Sequence, residues 1–356
     1  MEQSIPKTSK QWSLAGQNGF ESLKFTEEPV PELDDNHVLV KIQGAALNAR
    51  DLIIVHGVYP IPIRPNVVPG SDGAGTVLAI GKNVTRFKPG DKVNTMINQQ
   101  HIAGPMTAQA SQSGVGGVHH GTLRTVGAFD EQGLVAMPEG LSFTEAATLS
   151  CAGLTAWNAL FGLPGKQIMP GQWVLTQGTG GVSLFAIQFA KVVGAKVIAT
   201  TGSAEKVGLL EKLGVDHIIN YRETADWGAA AKALTPGGLG VDIVVDVVGA
   251  ATLKQSAASV KLDGLVNLIG FMAGPVPGEA EPMPGLLDVL MGGFTARAVW
   301  TGNRLHMDEM CRAIVANIDK LRPVLDSRVF TLEQTREAYE YLASQKHQGK
   351  VCIEIS

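Results

Sequence analysis

What the chain has little of limits it first. Only three of its 356 residues are cysteine, Cys151, Cys311 and Cys352. They are scattered and odd in number, which argues against a disulfide framework and predicts a reducing, cytoplasmic setting. Charged residues are sparse at 17 %, and 29 Lys plus Arg stand against 33 Asp plus Glu with no long run of either sign. A net charge of −4 without a basic stripe argues against a nucleic-acid partner. Long hydrophobic runs are missing too. The most apolar stretches are broken by charge or glycine well short of the roughly 20 residues that span a bilayer, and residues 1–12 are polar, so neither export nor membrane anchoring is expected.

Glycine is what the chain has in excess: 42 residues of 356, where about 7 % is usual. With 45 % hydrophobic residues and an ordinary 18 prolines, the chain reads as globular, and its length favours two domains over one core. Residues 21–93 alternate short β-rich runs, such as 37–42 and 75–80, with Pro and Gly punctuation, which predicts an antiparallel, partly barrel-like domain. Residues 94–127, rich in Gly, Gln and Ser, read as a long surface excursion. From Ser142 the texture changes. Ser142 and Glu145 form a capping box that marks a helix start. Strands are then predicted at 173–177, 197–200, 217–221, 241–248 and 265–269, separated by helices starting at Gly181, at Ala204, near Asp226 and at Ala251. Strands of continuous Val/Ile character between helices imply a parallel sheet covered on both faces, a doubly wound α/β architecture. A further strand is expected at 294–301, a helix near 307–318, another after a Thr331 to Gln334 capping box, and a last strand at 350–355.

The sharpest local pattern is Gln177-Gly178-Thr179-Gly180-Gly181-Val182-Ser183, between a predicted strand and an apolar helix. It is a GxGxxG loop with Ser183 in the third glycine place. Gly178 permits the tight turn, Gly180 lets backbone approach a pyrophosphate, and the helix start presents amide donors to the anion, which points to dinucleotide binding. An NAD site would set an acid at the end of the second strand to hold the ribose hydroxyls, but the chain reads Ala199-Thr200-Thr201-Gly202-Ser203. Ser203 can donate and Lys206 can neutralise charge, which favours NADP(H) as cofactor. The bland reading of Lys206 is a solvated helix lysine.

Taken together, Asn48-Ala49-Arg50-Asp51, Pro69-Gly70-Ser71-Asp72-Gly73-Ala74-Gly75, Phe87-Lys88-Pro89-Gly90-Asp91-Lys92-Val93, Leu154-Thr155-Ala156-Trp157, the glycine loop and Gly349-Lys350-Val351 resemble the medium-chain dehydrogenase/reductase superfamily over essentially the whole chain. The resemblance implies a GroES-like β domain over residues 1–144, a Rossmann domain over 145–301 and a return to the first domain over 302–356. Zinc-dependent members hold a catalytic metal with Cys, His and Cys; the matching positions here are Asn48, Ser71 and Cys151. Two of the three ligands are thus replaced by poor ones. The cysteines of a structural zinc lobe are missing as well, so no metal is expected. Cys151 reads as a packed thiol, and His119 and His120 as loop residues.

The resemblance points to the zinc-independent, quinone-oxidoreductase-like branch. It implies that Lys206 and Tyr221 flank an adenosine 2′-phosphate and that Lys350 contacts the diphosphate. Thr155, Gly270 and Phe271 would lie beside the nicotinamide, with Gly249, Thr201 and Arg304 among the further cofactor contacts. It also implies a homodimer through Rossmann-edge strands, with residues 294–300 the candidate. Catalysis is assigned to Asn48, Arg50 and Thr155. Asn48 could donate a hydrogen bond to charge developing on the substrate, whereas Arg50 and Asp51 read equally well as a structural ion pair or cap. Without a Lewis acid, the small-molecule substrate best suited to hydride transfer is one that is already activated. The expected activity is therefore NADPH-dependent reduction of an enone, enal or quinone. A zinc-free alcohol or carbonyl oxidoreductase and a non-redox NADPH-binding protein remain the alternatives.

Overall fold

The structure is a computed structural model that describes residues 5–270 and 285–356. In chain order its strands are β1 (Thr8–Leu14), β2 (Leu23–Pro29), β3 (His37–Ala46), β4 (Asp72–Ile80), β5 (Lys92–Thr95), β6 (Val126–Asp130), β7 (Leu134–Ala136), β8 (Trp173–Gln177), β9 (Lys196–Thr201), β10 (His217–Asn220), β11 (Val241–Asp246), β12 (Val260–Leu268), β13 (Thr295–Ala298), β14 (Leu325–Thr331) and β15 (Lys350–Glu354). They divide between two compact units, Met1–Leu154 with Asn303–Ser356, and Thr155–Gly302.

The first unit is built on β3, whose ten residues pair antiparallel with β4, β6 and β15. The sheet runs β14-β15-β3-β4-β5-β7, so the C-terminal strands complete a sheet begun more than 300 residues earlier. Its core gathers Val40, Ile42, Leu47, Phe330, Tyr339 and Ile353. The first unit extends past the expected boundary at 144. The helix Phe143–Ala147 packs on β3 so tightly that a Cβ on Gly44 would overlap the Phe143 backbone. Its capping box is formed as read: Ser142 Oγ accepts from Glu145 N at 3.2 Å and Glu145 Oε2 from Ser142 N at 2.7 Å. The box expected at Thr331 and Gln334 is only half made. Thr331 ends β14, its N–H donates to Gln334 Oε1 at 3.1 Å, and the helix starts at Thr335. Residues 94–127 are a surface excursion only in part. Residues 102–105 and 107–109 are exposed, but Val115, Thr122, Leu123 and Arg124 are buried: Leu123 O accepts from Trp12 N of β1 at 3.0 Å and the Arg124 guanidinium lies over the Phe129 ring of β6.

The second unit is a parallel six-stranded sheet in the order β10-β9-β8-β11-β12-β13. In sequence terms this is the doubly wound order 3-2-1-4-5-6. All six residues of β11, Val-Asp-Ile-Val-Val-Asp, are buried, as a strand covered on both faces must be. The helix Gly181–Val193 follows β8 directly and stops at Gly194, whose φ of 90° is the left-handed conformation that glycine adopts at low cost. Among the described residues, no helix is long and apolar enough to cross a membrane.

Candidate functional site

The second unit carries an anion cradle. Gly178 closes the turn after β8 with φ 70°, and its N–H donates to Thr200 O at 2.7 Å. Gly180 occupies the N-cap of the helix Gly181–Val193 with no side chain capping it. A Cβ added at either glycine would meet nothing within 4 Å. The amides of Gly181, Val182 and Ser183 open a 13-residue helix and, as at any helix start, have no acceptor inside it. An open concavity, free amide donors and the positive end of a helix are what a diphosphate requires. Ser183 Oγ donates to Gln177 O at 2.7 Å, fastening helix to strand as the third glycine would by close approach. Thr179 is buried beside it.

At the end of β9, Thr201 is buried and its hydroxyl accepts from Ser203 N at 3.3 Å. The Tyr221 ring covers Gly202 so closely that a Cβ there would overlap its hydroxyl, although the tyrosine itself is exposed. Lys206 lies in the short turn Ala204–Lys206 that leads into the helix Val207–Lys212. Sequence reasoning missed Arg222, whose Nε stands 3.1 Å from where a Gly202 Cβ would be. Tyr221, Arg222, Ser203 and Lys206 therefore come from one short stretch around β9 and β10, with no acid at the β9 end.

A second omission is Asp246, at the end of β11 and fully buried. Its Oδ1 accepts from Val248 N at 3.1 Å and Gly249 N at 2.8 Å, and its Oδ2 from Ser256 Oγ at 2.6 Å. Gln177 joins this network through Ser256 at 2.9 Å. The carboxylate thus ties the loop after β11 to the strand that precedes the glycine loop, and it holds Gly249 in place at φ 97°. Gly270 is a packing residue, since a Cβ there would overlap Val247 O. Phe271 lies outside the described residues. Thr155 is buried at the start of the helix Leu154–Phe161.

The first unit carries a buried polar cluster. Asn48 precedes the helix Ala49–Val55, and Asp51 Oδ2 accepts from the Asn48 N–H at 2.7 Å. The Asn48 side chain turns away from that helix: its Oδ1 accepts from Lys350 Nζ at 2.5 Å. Lys350 Nζ also donates to Leu47 O at 2.8 Å and to Asp72 Oδ2 at 3.2 Å. Lys350, expected to contact a diphosphate, is only 4 % exposed and its three N–H bonds are all engaged inside the first unit. The reason is topological: β15 pairs with β3 at the point where β3 gives way to Asn48, and so delivers the ammonium inside the unit. Arg304, expected among the cofactor contacts, is likewise engaged within its own unit. Its guanidinium donates to the Gln132 side chain and, at 3.2 Å, to Gln132 O, at the head of a helix capped by Asn303.

Arg50 makes no salt bridge with Asp51. Its Nε donates to Tyr59 Oη at 3.1 Å and its guanidinium lies over the Tyr59 ring, 5.0 Å from the centroid, while Nη1 is buried without a partner. Asn48 Nδ2, Ser71 Oγ and Asp72 Oδ1 are buried without partners too. Burial pushes Asp51 up to about 6 and raises Asp72 as well, in both cases against the pull of a neighbouring cation. Cys151 sits in a π-helical turn, Leu149–Gly153, a distortion that often accompanies function and that no sequence pattern announced. Although Cys151 keeps some solvent exposure, its burial among these groups, and Asp72 after that, push the thiol up to about 12.

A zinc ion could hardly use these positions. Asn48 Oδ1 already faces an ammonium and Ser71 offers a neutral hydroxyl, which leaves Cys151 as the one good zinc donor among the three. Among the described residues, no group of three His, Cys, Asp or Glu side chains could hold a metal ion. His119 and His120 do not assemble one either: His120 Nδ1 accepts from Val68 N at 3.0 Å, and burial lowers its pKa to about 4.

A GroES-like sheet and a doubly wound parallel sheet with an open glycine cradle define an α/β oxidoreductase scaffold. Residues 34–139 match the alcohol dehydrogenase GroES-like domain, and residues 181–317 match the zinc-binding dehydrogenase domain. The chain is 41 % identical to a zinc-type alcohol dehydrogenase-like protein of Schizosaccharomyces pombe, over 95 % of this chain and 96 % of that one. Among solved structures it is similar to an NAD-dependent alcohol dehydrogenase, with TM-score 0.85 and 30 % identity over 98 % of this chain and all of the other. It is also similar to the quinone oxidoreductase of Pseudomonas syringae pv. tomato DC3000, with TM-score 0.80 and 27 % identity over 97 % and 99 % of the two chains. The chain belongs to the medium-chain dehydrogenase/reductase superfamily, as an oxidoreductase of its alcohol dehydrogenase-like and quinone oxidoreductase-like members.

Proposed function

We propose that this protein is a zinc-independent, NADPH-dependent reductase that passes hydride to an activated C=C bond or a quinone. The observation that carries the reading is the Lys350 contact to Asn48, which fills a family metal-ligand position with a neutral amide and turns its oxygen to an ammonium. When bound, a reduced nicotinamide supplies the hydride. The glycine loop and the helix start at Gly181 would hold its diphosphate, and Ser203, Lys206, Tyr221 and Arg222 would hold the adenosine 2′-phosphate where NAD would ask for an acid. Asn48 Nδ2 donates to the substrate oxygen, on which negative charge gathers as hydride reaches the distant carbon. A neutral amide is a weaker electrophile than zinc, so the substrate must spread that charge itself, as an enone or quinone does. Water protonates the resulting enolate. A second reading, zinc-free reduction of carbonyls or oxidation of alcohols, draws on the alcohol dehydrogenase relatives.

Turnover of NADPH and NADH with a panel of enones, enals, quinones, ketones and aldehydes tests the substrate and the cofactor together. Preference for NADPH with enones or quinones is the expected result; turnover restricted to ketones or alcohols favours the second reading. Metal analysis of the purified protein is expected to find zinc well below one per chain, and stoichiometric zinc with chelator-sensitive activity defeats the zinc-free part. The reading includes a homodimer, since β13 is an edge strand and the preceding helix Leu286–Gly292 exposes Leu286, Leu287, Leu290 and Met291. Light scattering at micromolar concentration checks it, and a monomer mass removes it.

A further inference from the structure

Lys350 and Asn48 are 302 residues apart in sequence and 2.5 Å apart in space. Lysine has donors and no acceptor, so an amide that meets its ammonium must present oxygen, and the amide nitrogen is forced to the other side. Asn48 Nδ2 is buried, and the partner it approaches is the Asp72 carboxyl, whose pKa it lowers as a hydrogen-bond donor does, without reaching good hydrogen-bond geometry. The nitrogen carries two N–H bonds, so at least one is unclaimed. Leaving such a donor buried costs about 1–3 kcal/mol, which a ligand oxygen would recover.

We propose that Lys350 is a positioning residue: its ammonium, held by Leu47 O and Asp72, fixes the orientation of the Asn48 amide and polarises it, so that Nδ2 is presented as the donor to the substrate oxygen. The proposal rests on the reading of Asn48 as the substrate-facing donor. In a low-dielectric surrounding, a cation on the oxygen of an amide draws electron density from its N–H bonds and strengthens them as donors. The positive charge thus reaches the substrate through a fixed dipole. Preorganisation adds to this, because a donor already locked in place needs no reorientation as charge develops.

The test uses the full chain as Asn48→Ala, Lys350→Met, the two combined, and Lys350→Met/Asp72→Asn, which removes the pair without stranding a buried carboxylate. Four readouts are taken: unfolding midpoint, NADPH dissociation constant by direct titration, kcat and KM with an acceptor the wild type reduces, and the ¹⁵N–¹H resonances of the Asn48 side chain, assigned by their loss in Asn48→Ala. Removing one preorganised donor typically costs about 10²–10³ in kcat, and Lys350→Met is expected to lose a fraction of that, with NADPH affinity unchanged. The double variant is expected to be no slower than Asn48→Ala, and the Asn48 amide resonances are expected to move in Lys350→Met. Weaker NADPH binding with kcat intact makes Lys350 a cofactor contact and overturns the proposal. Losses that multiply in the double variant, or kcat restored in Lys350→Met/Asp72→Asn, overturn it as well. Full activity in Asn48→Ala defeats the donor reading itself. If no acceptor is reduced at all, unmoved Asn48 resonances in Lys350→Met still overturn the positioning, independently of the reaction.

Discussion

Three glycines should respond differently to the same methyl group. At Gly180 the backbone is ordinary, φ −75° and ψ 170°, and a Cβ would meet no atom within 4 Å. Gly180→Ala should therefore leave stability within about 0.5 kcal/mol of wild type, as at an unconstrained surface site. The space a methyl would fill is, however, the approach to the helix amides. Losing one charge-assisted hydrogen bond to phosphate costs about 1.5–3 kcal/mol, or roughly ten- to hundredfold in the dissociation constant. At Gly178 the space is equally open but φ is 70°, so alanine there should cost about 1–2 kcal/mol of stability from backbone strain alone. At Gly121 a Cβ would overlap Gly70 O, and alanine should cost about 1–3 kcal/mol with no direct effect on the cofactor. Urea unfolding and NADPH titration of the three variants measure both quantities. Near wild-type NADPH affinity in Gly180→Ala refutes the argument, because a cradle open to a methyl yet indifferent to it holds no phosphate.

Further outcomes follow from the same geometry. Tyr221→Ala and Arg222→Ala should each weaken NADPH by about three- to tenfold while sparing NADH, less than the loss at the helix amides because both side chains are exposed and solvent screens the contact; equal weakening of both cofactors removes these residues from 2′-phosphate recognition. The Asp51 carboxyl, raised to about 6 by burial and only partly relieved by Arg50, keeps in the folded chain a proton that the unfolded chain releases near pH 4. Its contribution to stability therefore falls as pH climbs from about 4 through about 6, by on the order of 3 kcal/mol, and Asp51→Asn should flatten that slope in urea midpoints. An unchanged slope in Asp51→Asn counts against it. Burial alone would raise Asp216, but Lys191 Nζ at 2.7 Å and Lys196 Nζ at 2.9 Å hold it down to about 2. That stability is present above about pH 4 and is lost as pH falls through about 2; Asp216→Asn should cost on the order of 1–2 kcal/mol at neutral pH and nothing below pH 2.

The second unit was legible in the sequence because its rules are local. A strand covered on both faces has to be continuously apolar, so β8 was readable to the residue as 173–177 and β11 within two. The glycine loop declares itself within seven residues, and so does the missing acid at the β9 end. Arg222 and Asp246 escaped because what matters in each is proximity: Arg222 to Gly202 across a strand pair, Asp246 to two amides and a serine in the loop it organises. The cluster in the first unit could not be read at all from spacing. Lys350 reads in the sequence as a cation available to a diphosphate, and its contact with Asn48 follows only from the pairing of β15 with β3. The long Gly-rich stretch misled for a related reason. Composition predicts flexibility, but Gly116 and Gly121 serve there as close approaches to Gly70.

The chemistry of the first unit also bears on why so polar a cluster persists where it does. Asp51 and Asp72 are carboxyls driven toward protonation by burial, Lys350 is a cation with almost no water around it, and Arg50 is half-buried against Tyr59. A buried ion pair such as Lys350–Asp72 is a poor stability device, since desolvation takes back most of the Coulomb gain and an apolar replacement of similar volume often does as well. Stability is thus a weak reason for keeping four ionisable groups together. Function supplies a stronger one: if the positions matching metal ligands are filled by Asn48 and Ser71, the electrophile has to be assembled from fixed dipoles, and a dipole is effective only when something charged fixes it. Lys350 meets that need for Asn48, and Asp72 in turn anchors Lys350. On this account the cluster is a short relay of orientation from carboxylate to ammonium to amide, whose last member ends in an Nδ2 with at least one N–H left for a ligand.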